Sequence, residues 1–354
     1  TNLLNPLNIQ SSFMELMEKR QMSGNANDLP LGKLLQVKQN MGKNNEQRKC
    51  QKNTGNSLQE LKADKEKLCT DIQNVDISGK PSIINVAMIY TDNEIDMNSD
   101  NLMFDLRYNI LANQIDYFVI CESKFDHKGD EKGKKFIFKK EFDPNKIKYL
   151  YLDKPFPKKN NRWENQAIQR DYILQNLDFT DPEDYIFFSD PDEILKPGIL
   201  TNFELKKKYG IFLFKCFNYK FNLFNPYETP WEGTRVAKKK NLKSINFMRQ
   251  KVLRKNLKYN FLRIDKEKNI QLFENAGWHF NNILTYEEIS LKLNTFAHDE
   301  FSIDKFSSVE NIKNKIEMKK DLYNRGHNYE KVELDNSFPE YIINNHSKYK
   351  KFIL

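Results

Sequence analysis

The sequence predicts an α/β protein with a mainly parallel sheet and helices on both faces. From Pro81 onward, apolar runs of strand length alternate with segments whose apolar residues recur at helical spacing. Strand-helix-strand order of this kind favours right-handed crossovers between parallel strands. A cluster of carboxylates follows one of these strands, where such sheets bind their ligands. The 354 residues allow one large domain or two modest ones.

Residues 1–80 differ in composition from the rest of the chain. They contain one aromatic residue, Phe13, out of 45 in the chain, while 11 of these 80 residues are Asn. Such a segment buries too little apolar surface to offset the entropy cost of ordering it. We therefore predict a polar N-terminal extension over residues 1–80, made of helical fragments or disordered, and a folded domain over residues 81–354.

The apolar pattern places the elements of the folded domain in order. The predicted strands cover residues 83–90, 117–121, 149–152, 185–189 and 270–273. Between the first two strands, Leu102, Leu106 and Ile110 recur at i, i+4 and i+8 and predict a helix. A second helical stripe, over residues 163–177, leads into the strand at 185–189.

Composition and charge exclude several classes of protein. No stretch of about 18 uncharged apolar residues exists to span a membrane. The net charge of +8 suits a phosphate-bearing substrate, but the basic residues are scattered among acids without interleaved aromatics, which does not favour nucleic-acid binding. The four cysteines have no close spacing, so reduced thiols and a cytoplasmic location are expected. The chain begins with Thr1 rather than Met, which leaves an upstream anchor or leader open.

Three carboxylates, Asp190, Asp192 and Glu193, follow the strand that reads YIFFS, on a turn stiffened by Pro191. Two carboxylates one residue apart can bind Mg²⁺ or Mn²⁺ and leave positions for water and the oxygens of a diphosphate. The sequence therefore indicates a divalent-cation site there. A polar turn that caps the next helix is the alternative.

Four further residues are candidates for the same site. Glu122 also follows a predicted buried strand, and Arg170 lies on the helix before the acidic strand, where a guanidinium can bind a diphosphate bidentately. Trp278 offers a stacking face for a sugar or base, and the His279 imidazole can complete a metal shell. The alternatives are solvated or ion-paired residues in the first two cases, and a core Trp beside a satisfied core His in the others.

Seven segments in order resemble glycosyltransferase family 17, the family of the β-1,4-mannosyl-glycoprotein β-1,4-N-acetylglucosaminyltransferase. The segments are IDYFVICES, FDHKGDEKGKKFIF, KIKYLYLD, WENQAIQRDYIL, YIFFSDPDEI, AGWHF and EEISLKLNTFAHDEF. The resemblance covers about residues 83–345 and leaves the N-terminal extension outside. Pro191 stands where the family has an aliphatic residue, and Asn281 with Asn282 replaces a serine-containing run. These departures leave the predicted metal site intact and bear on acceptor and sugar specificity.

The resemblance implies a GT-A type, Rossmann-like fold and a metal-dependent, inverting transfer of GlcNAc from UDP-GlcNAc. The acceptor would be a hydroxyl of a glycan or glycoprotein, and the product β-linked. Mn²⁺ or Mg²⁺ would bind at Asp190 and Asp192. The resemblance further places Glu122 near the nucleoside, Arg170 near the nucleotide phosphates, and Trp278 and His279 beside the donor and the metal.

An inverting enzyme also needs a carboxylate to take the proton of the acceptor hydroxyl. Thr285 and Glu288 form a capping box that opens a helix, and this helix leads into Asp299 and Glu300, our candidates for that base. Glu193, Glu232 and Glu287 are alternatives.

Two other functions use the same kind of sheet and carboxylates. One is a non-catalytic glycan- or polyanion-binding module. The other is a metal-dependent nucleotidyltransferase, which would release pyrophosphate, although no Gly-rich nucleotide loop supports it.

Overall fold

The computed structural model describes residues 80–89, 99–295 and 307–354. The predicted N-terminal extension, except Lys80, lies outside these residues, so its boundary stays a prediction. The strands are β1 (Ile83–Ile89), β2 (Tyr117–Ser123), β3 (Ile147–Leu152), β4 (Tyr185–Phe188), β5 (Glu193–Leu195), β6 (Tyr209–Asn218), β7 (Leu223–Phe224), β8 (Trp231–Lys238), β9 (Ile270–Phe273), β10 (Gly277–Asn281) and β11 (Glu330–Lys331).

Helices lie between the strands at several points along the chain, and two short helices follow the last strand. The helices are α1 (Ser99–Leu111), α2 (Arg162–Leu174), α3 (Pro197–Leu200), α4 (Ile245–Lys251), α5 (Tyr286–Thr295), α6 (Val309–Glu317), α7 (Glu340–Asn344) and α8 (His346–Tyr349). Within the described ranges, no helix combines the length and apolar character needed to cross a bilayer.

The central sheet has the order β11-β7-β6-β8-β4-β1-β2-β3. β1 is parallel to β2 and β4, and β2 is parallel to β3. Beyond β4 the sheet is mixed: β8 runs antiparallel to β4 and β6, whereas β9 and β10 run parallel to β6. The predicted α/β class with parallel central strands is confirmed, and the antiparallel strands were not predicted.

Helices cover both faces of the parallel strands, as predicted. Phe118 and Val119 of β2 point to opposite faces because side chains alternate along a strand. Val119 belongs to a buried cluster with Ile173 of α2 and Met248 of α4. On the other face, Phe104 of α1 packs edge-to-face on Phe118, with ring centroids 5.7 Å apart.

Capping boxes set the starts of two helices. The predicted box before α5 is confirmed, because Glu288 N–H donates to Thr285 Oγ1 (3.2 Å) and Thr285 N–H donates to Glu288 Oε2 (2.7 Å). A second box, Asn161 with Glu164, starts α2 and was not predicted. Helix α2 ends at Leu174, three residues before the predicted end.

The acidic turn, residues 190–193, joins β4 to the short strand β5 rather than to a helix. β5 pairs antiparallel with β10, which places His279 opposite Glu193. β10 also pairs parallel with β6, which places His279 opposite Cys216. Sheet register therefore brings His279, far along the chain, to the acidic turn.

Candidate active site

The backbone of the acidic turn is held by Arg107, a buried residue of α1. Its Nη2 donates to the carbonyl oxygens of Asp190, Pro191 (2.9 Å) and Glu193 (3.0 Å). Asp190 N–H in turn donates to Glu193 Oε2 at 3.1 Å. Because one guanidinium binds three carbonyls of a four-residue turn, the direction of its carboxylates is set before any ligand arrives.

Two arginines meet the Asp190 carboxylate. Arg249 of α4 forms an ion pair with Oδ2, and Arg170 Nη2 lies 3.8 Å from Oδ1. Burial alone would raise the pKa of Asp190, but Arg249 and Arg170 outweigh it and hold that pKa below its ordinary value. The predicted neighbours Arg170 and Asp190 are therefore brought together, and Asp190 is ionised at neutral pH.

Glu193 lies deeper than Asp190 and shares its arginine. Its Oε1 lies 3.2 Å from Arg249 Nη2 and accepts a hydrogen bond of 3.0 Å from Trp231 Nε1. Burial and the neighbouring Asp190 raise the pKa of Glu193 above its ordinary value, although Arg249 opposes them. Glu193 thus lies beneath the turn as a support for Arg249 and Trp231, with its side chain 1% exposed.

Asp192 and His279 form the outer pair of the site. His279 Nε2 lies 3.2 Å from Asp192 Oδ2, and the Asp192 side chain is 27% exposed. The imidazole stacks on Trp231, with centroids 4.3 Å apart and planes at 21°, and Nδ1 lies 3.6 Å from Cys216 Sγ. Burial lowers the pKa of His279, but Asp192 outweighs it and raises that pKa well above its ordinary value.

The donor set fits a divalent cation in part. Adjacent ligands of an octahedral Mg²⁺, each about 2.1 Å from the ion, lie about 3 Å apart. The separation of 3.2 Å between His279 Nε2 and Asp192 Oδ2 is that of an ion pair between imidazolium and carboxylate, and it lets both atoms bind one ion once the ion displaces the imidazole proton. Across residues 80–89, 99–295 and 307–354, no three His, Cys, Asp or Glu side chains are grouped to hold an ion by themselves. A cation there would need oxygens from its substrate, as Mg²⁺ sites with one or two carboxylates commonly do.

Glu122 lies at the end of β2 and binds a neighbouring loop. Its carboxylate accepts hydrogen bonds from Phe136 N–H (3.1 Å), Lys135 N–H (2.5 Å) and the Tyr149 hydroxyl (2.7 Å). Lys132 Nζ lies 3.6 Å away in a pair that is almost wholly buried. Glu122 therefore anchors residues 132–136, and its predicted place near a nucleoside stays a prediction.

Trp278 is not brought to the acidic turn. It is 3% exposed, its Nε1 donates to the Ser337 carbonyl at 3.2 Å, and Lys196 Nζ lies 5.6 Å from its ring centroid. Because neighbouring residues on a strand point to opposite faces, Trp278 points away from the site when His279 points into it. Half-buried Trp231 supplies the indole that meets His279 and Glu193.

The predicted catalytic bases Asp299 and Glu300 lie outside the described residues. Of the three alternatives, Glu193 lies at the acidic turn, and Glu287 is exposed on α5. Glu232 Oε2 lies 3.3 Å from Arg235 Nη2 and accepts from Arg254 N–H at 3.0 Å.

Sequence reasoning missed Arg107, Arg249, Trp231 and Glu228. Glu228 has a 24% exposed side chain, lies 3.8 Å from Cys216 Sγ through Oε2, and binds Arg325 Nη1 at 3.0 Å through Oε1. These residues lie on three segments, with Glu228 and Trp231 close together in the chain, and follow no spacing rule. No local signal sets them apart, since Arg249, for example, lies in a helix of mixed polar and apolar residues, INFMRQK.

No family model matches the chain, so membership of glycosyltransferase family 17 gains no support, and no curated protein matches it. Among solved structures, HddC from Yersinia pseudotuberculosis matches with a TM-score of 0.31 and 10% identity over 56% of this chain and 92% of that chain. Glucosyl-3-phosphoglycerate synthase from Mycobacterium tuberculosis, bound to Mn²⁺, UDP and phosphoglyceric acid, matches with a TM-score of 0.29 and 12% identity. The match covers 74% of this chain and 91% of that chain. A glycosyltransferase involved in glycosylation of the major capsid of PBCV-1 matches with a TM-score of 0.27 and 12% identity. The match covers 55% of this chain and 82% of that chain. Such low TM-scores and identities are no basis for assigning a function.

Proposed function

We propose that this protein is a metal-dependent glycosyltransferase that moves a sugar from a nucleotide sugar to a glycan hydroxyl. The observation that carries the proposal is the acidic turn itself: Asp190 and Asp192 follow β4, and His279 lies 3.2 Å from Asp192. β4 lies next to β1 on the side away from β2 and β3, so the strand order reverses there. Ligands of open α/β sheets bind at the carboxyl ends of the strands at such a reversal.

The charges around the turn suit a diphosphate that leaves with its electron pair. Arg170 and Arg249 approach Asp190 from two helices, and Asp192, paired with buried His279, is partly exposed beside it. When bound, Mn²⁺ or Mg²⁺ would be held by Asp192 and by His279 after its imidazole proton is lost, with Asp190 beside them, and would supply positive charge where the leaving diphosphate becomes negative. We assign Arg170 to that diphosphate, and its guanidinium beside the Asp190 carboxylate supports the assignment.

The remaining residues hold this arrangement in place. Arg107 fixes the turn backbone, Trp231 keeps the imidazole of His279 and the carboxylate of Glu193 in position, and Arg249 joins Glu193 to Asp190. In the proposed displacement, the acceptor oxygen forms a bond to the anomeric carbon while the bond from that carbon to the diphosphate breaks. The hydroxyl proton passes to a carboxylate, for which Asp299 or Glu300 remains our prediction.

The finer assignment comes from the resemblance to family 17. It favours UDP-GlcNAc as donor, a GT-A type fold, inversion and a β-linked product. Because a single displacement suffices, no covalent sugar-enzyme intermediate forms.

The test is turnover of a panel of nucleotide sugars by the purified full chain, with Mn²⁺, with Mg²⁺ and with chelator. We expect chelator-sensitive release of UDP from UDP-GlcNAc, and a β-linked product by NMR when a glycan acceptor is added. Release of pyrophosphate from a nucleoside triphosphate and a sugar phosphate would instead identify a nucleotidyltransferase. Binding of the donor without turnover under all conditions would identify a binding module, and an α-linked product would exclude inversion.

A further inference from the structure

Residues 257–264 form an exposed apolar loop, which begins in the last turn of a 3₁₀ helix, Arg254–Lys258, and precedes strand β9. Phe261, Leu262 and Ile264 are 80%, 70% and 94% exposed, and Leu257 and Tyr259 are each 38% exposed. These five are among the twelve large apolar side chains that are exposed in the described part of the chain. Single exposed apolar residues are ordinary, but such a concentration marks an interaction surface.

The backbone of the apolar loop is held in shape by Lys268. Its Nζ donates to the carbonyl oxygens of Asn260 (2.7 Å), Phe261 (3.4 Å) and Arg263 (2.9 Å). Asn260 closes the turn, since its Oδ1 accepts from Leu262 N–H at 3.0 Å and its carbonyl accepts from Arg263 N–H at 3.0 Å. The fixed backbone presents the apolar side chains outward, so little ordering entropy is lost when a partner covers them.

Basic residues surround the apolar loop. Residues 251–268 contain seven Lys or Arg and two Asp or Glu. Both acids are already paired: Asp265 binds Arg263 bidentately at 2.7 and 2.8 Å, and Glu267 lies 3.9 Å from Lys208. Lys255 and Lys258 are exposed beside Leu257, so the face that carries the apolar side chains is positively charged.

We propose that the apolar loop docks this protein on an anionic lipid surface. Peripheral proteins bind such surfaces by inserting apolar side chains into the headgroup region. Lysines at the level of the lipid phosphates add electrostatic attraction. An outward-pointing loop needs no complementary groove when its partner is a deformable lipid interface. A protein partner would require such a groove, so lipid is the occupant that these exposures and charges favour.

Docking through the apolar loop is compatible with an open acidic turn. The loop leads into β9, whose first residue Ile270 pairs with Tyr209 and, across β8, lies level with Ile186 near the start of β4. The acidic turn follows the opposite end of β4. Phe261 and Arg263 are held by Lys268 near the start of β9, so the F261S/L262S/I264S variant should leave UDP release unchanged.

The experiment is co-sedimentation of the full chain with vesicles, either phosphatidylcholine alone or a mixture of about two parts phosphatidylcholine to one part phosphatidylserine. We expect binding to the mixed vesicles, weakening with salt, and little binding to phosphatidylcholine. The triple variant F261S/L262S/I264S should bind the mixed vesicles at least about a hundredfold more weakly, because three apolar side chains no longer insert. K255E/K258E should bind at least about tenfold more weakly.

Two control variants carry the same chemical changes elsewhere on the surface. M318S removes an apolar side chain that is 64% exposed, and K350E/K351E reverses two exposed lysines that follow α8. Both should bind vesicles like the unchanged protein. Absence of vesicle binding at low salt, equal binding to both lipid compositions, or equal losses in the controls would each overturn the proposal. A concentration-dependent dimer in analytical ultracentrifugation that the triple variant abolishes, without vesicle binding, would replace it with self-association.

Discussion

The acidic turn and the apolar loop depart from the usual distribution of polar and apolar residues in opposite directions. At the turn, Asp190 and Glu193 are drawn into the protein among two arginines, whereas at the loop Phe261 and Ile264 are left in water. Both departures cost free energy of folding and are supported by hydrogen bonds from a single cation, Arg107 in one case and Lys268 in the other. Function is expected where a protein buries charges or exposes apolar side chains and holds them there with hydrogen bonds.

The largest expected effect is on the chemistry of the acidic turn. Asp192→Asn removes a carboxylate ligand and keeps the size of the side chain, so we expect UDP release to fall by about a thousandfold. The unfolding midpoint should fall only slightly, through loss of the ion pair with His279. The matched control is Asp265→Asn beside the apolar loop, which should retain full activity. Activity of Asp192→Asn close to that of the unchanged protein would remove the metal site from the proposal.

The next effect concerns what each ion pair contributes to stability. Arg249→Met leaves Asp190 and Glu193 facing each other without their shared cation, so we expect a loss of about 3 kcal/mol in the free energy of unfolding. Adding Glu193→Gln should recover part of it, because one buried charge is removed. Urea unfolding measures both.

Arg263→Met is the corresponding change at the apolar loop, where both partners are exposed. It should not shift the urea midpoint measurably. A shift as large as that of Arg249→Met would mean that the two regions do not differ in the way their ion pairs are desolvated.

A smaller effect separates the two tryptophans. Trp231→Phe keeps an aromatic face against His279 but removes the N–H that binds Glu193, so we expect kcat/KM to fall about tenfold. Trp278→Phe removes the N–H that binds Ser337 and should lower the unfolding free energy by about 1 kcal/mol with little change in kcat/KM. The opposite result would return the donor-binding role to Trp278.

The smallest effect is expected at the apolar loop itself. Phe261→Ser should change the free energy of unfolding by less than about 0.5 kcal/mol, since the ring is 80% exposed and packs little. Thermal unfolding without vesicles measures it. A large loss of stability would show that the ring serves the fold rather than a partner.

The parallel part of the fold could be predicted because its strands are buried on both faces. Residues 83–89 and 117–121 are nearly continuous apolar runs, and strands of that kind are recognised from the runs themselves. The helix start at Thr285 could be predicted for the same reason, since a capping box is local in sequence. The acidic turn could be predicted as a candidate site because it directly follows a buried strand. In such sheets ligands bind beyond the carboxyl ends of the strands.

Partners in the site could not be predicted, because they depend on contacts between residues far apart in the chain. Arg249 reaches Asp190 across 59 positions, and whether Trp231 or Trp278 faces His279 depends on the register of β10 against β5 and β6. A shift of one residue in a strand exchanges its faces, and nothing in the amino-acid pattern of GWHF fixes that choice. The sequence by itself determined where charges and apolar residues occur along this chain, and only the packing of strands and helices decided which of them meet, since a charge is neutralised by its neighbours in space.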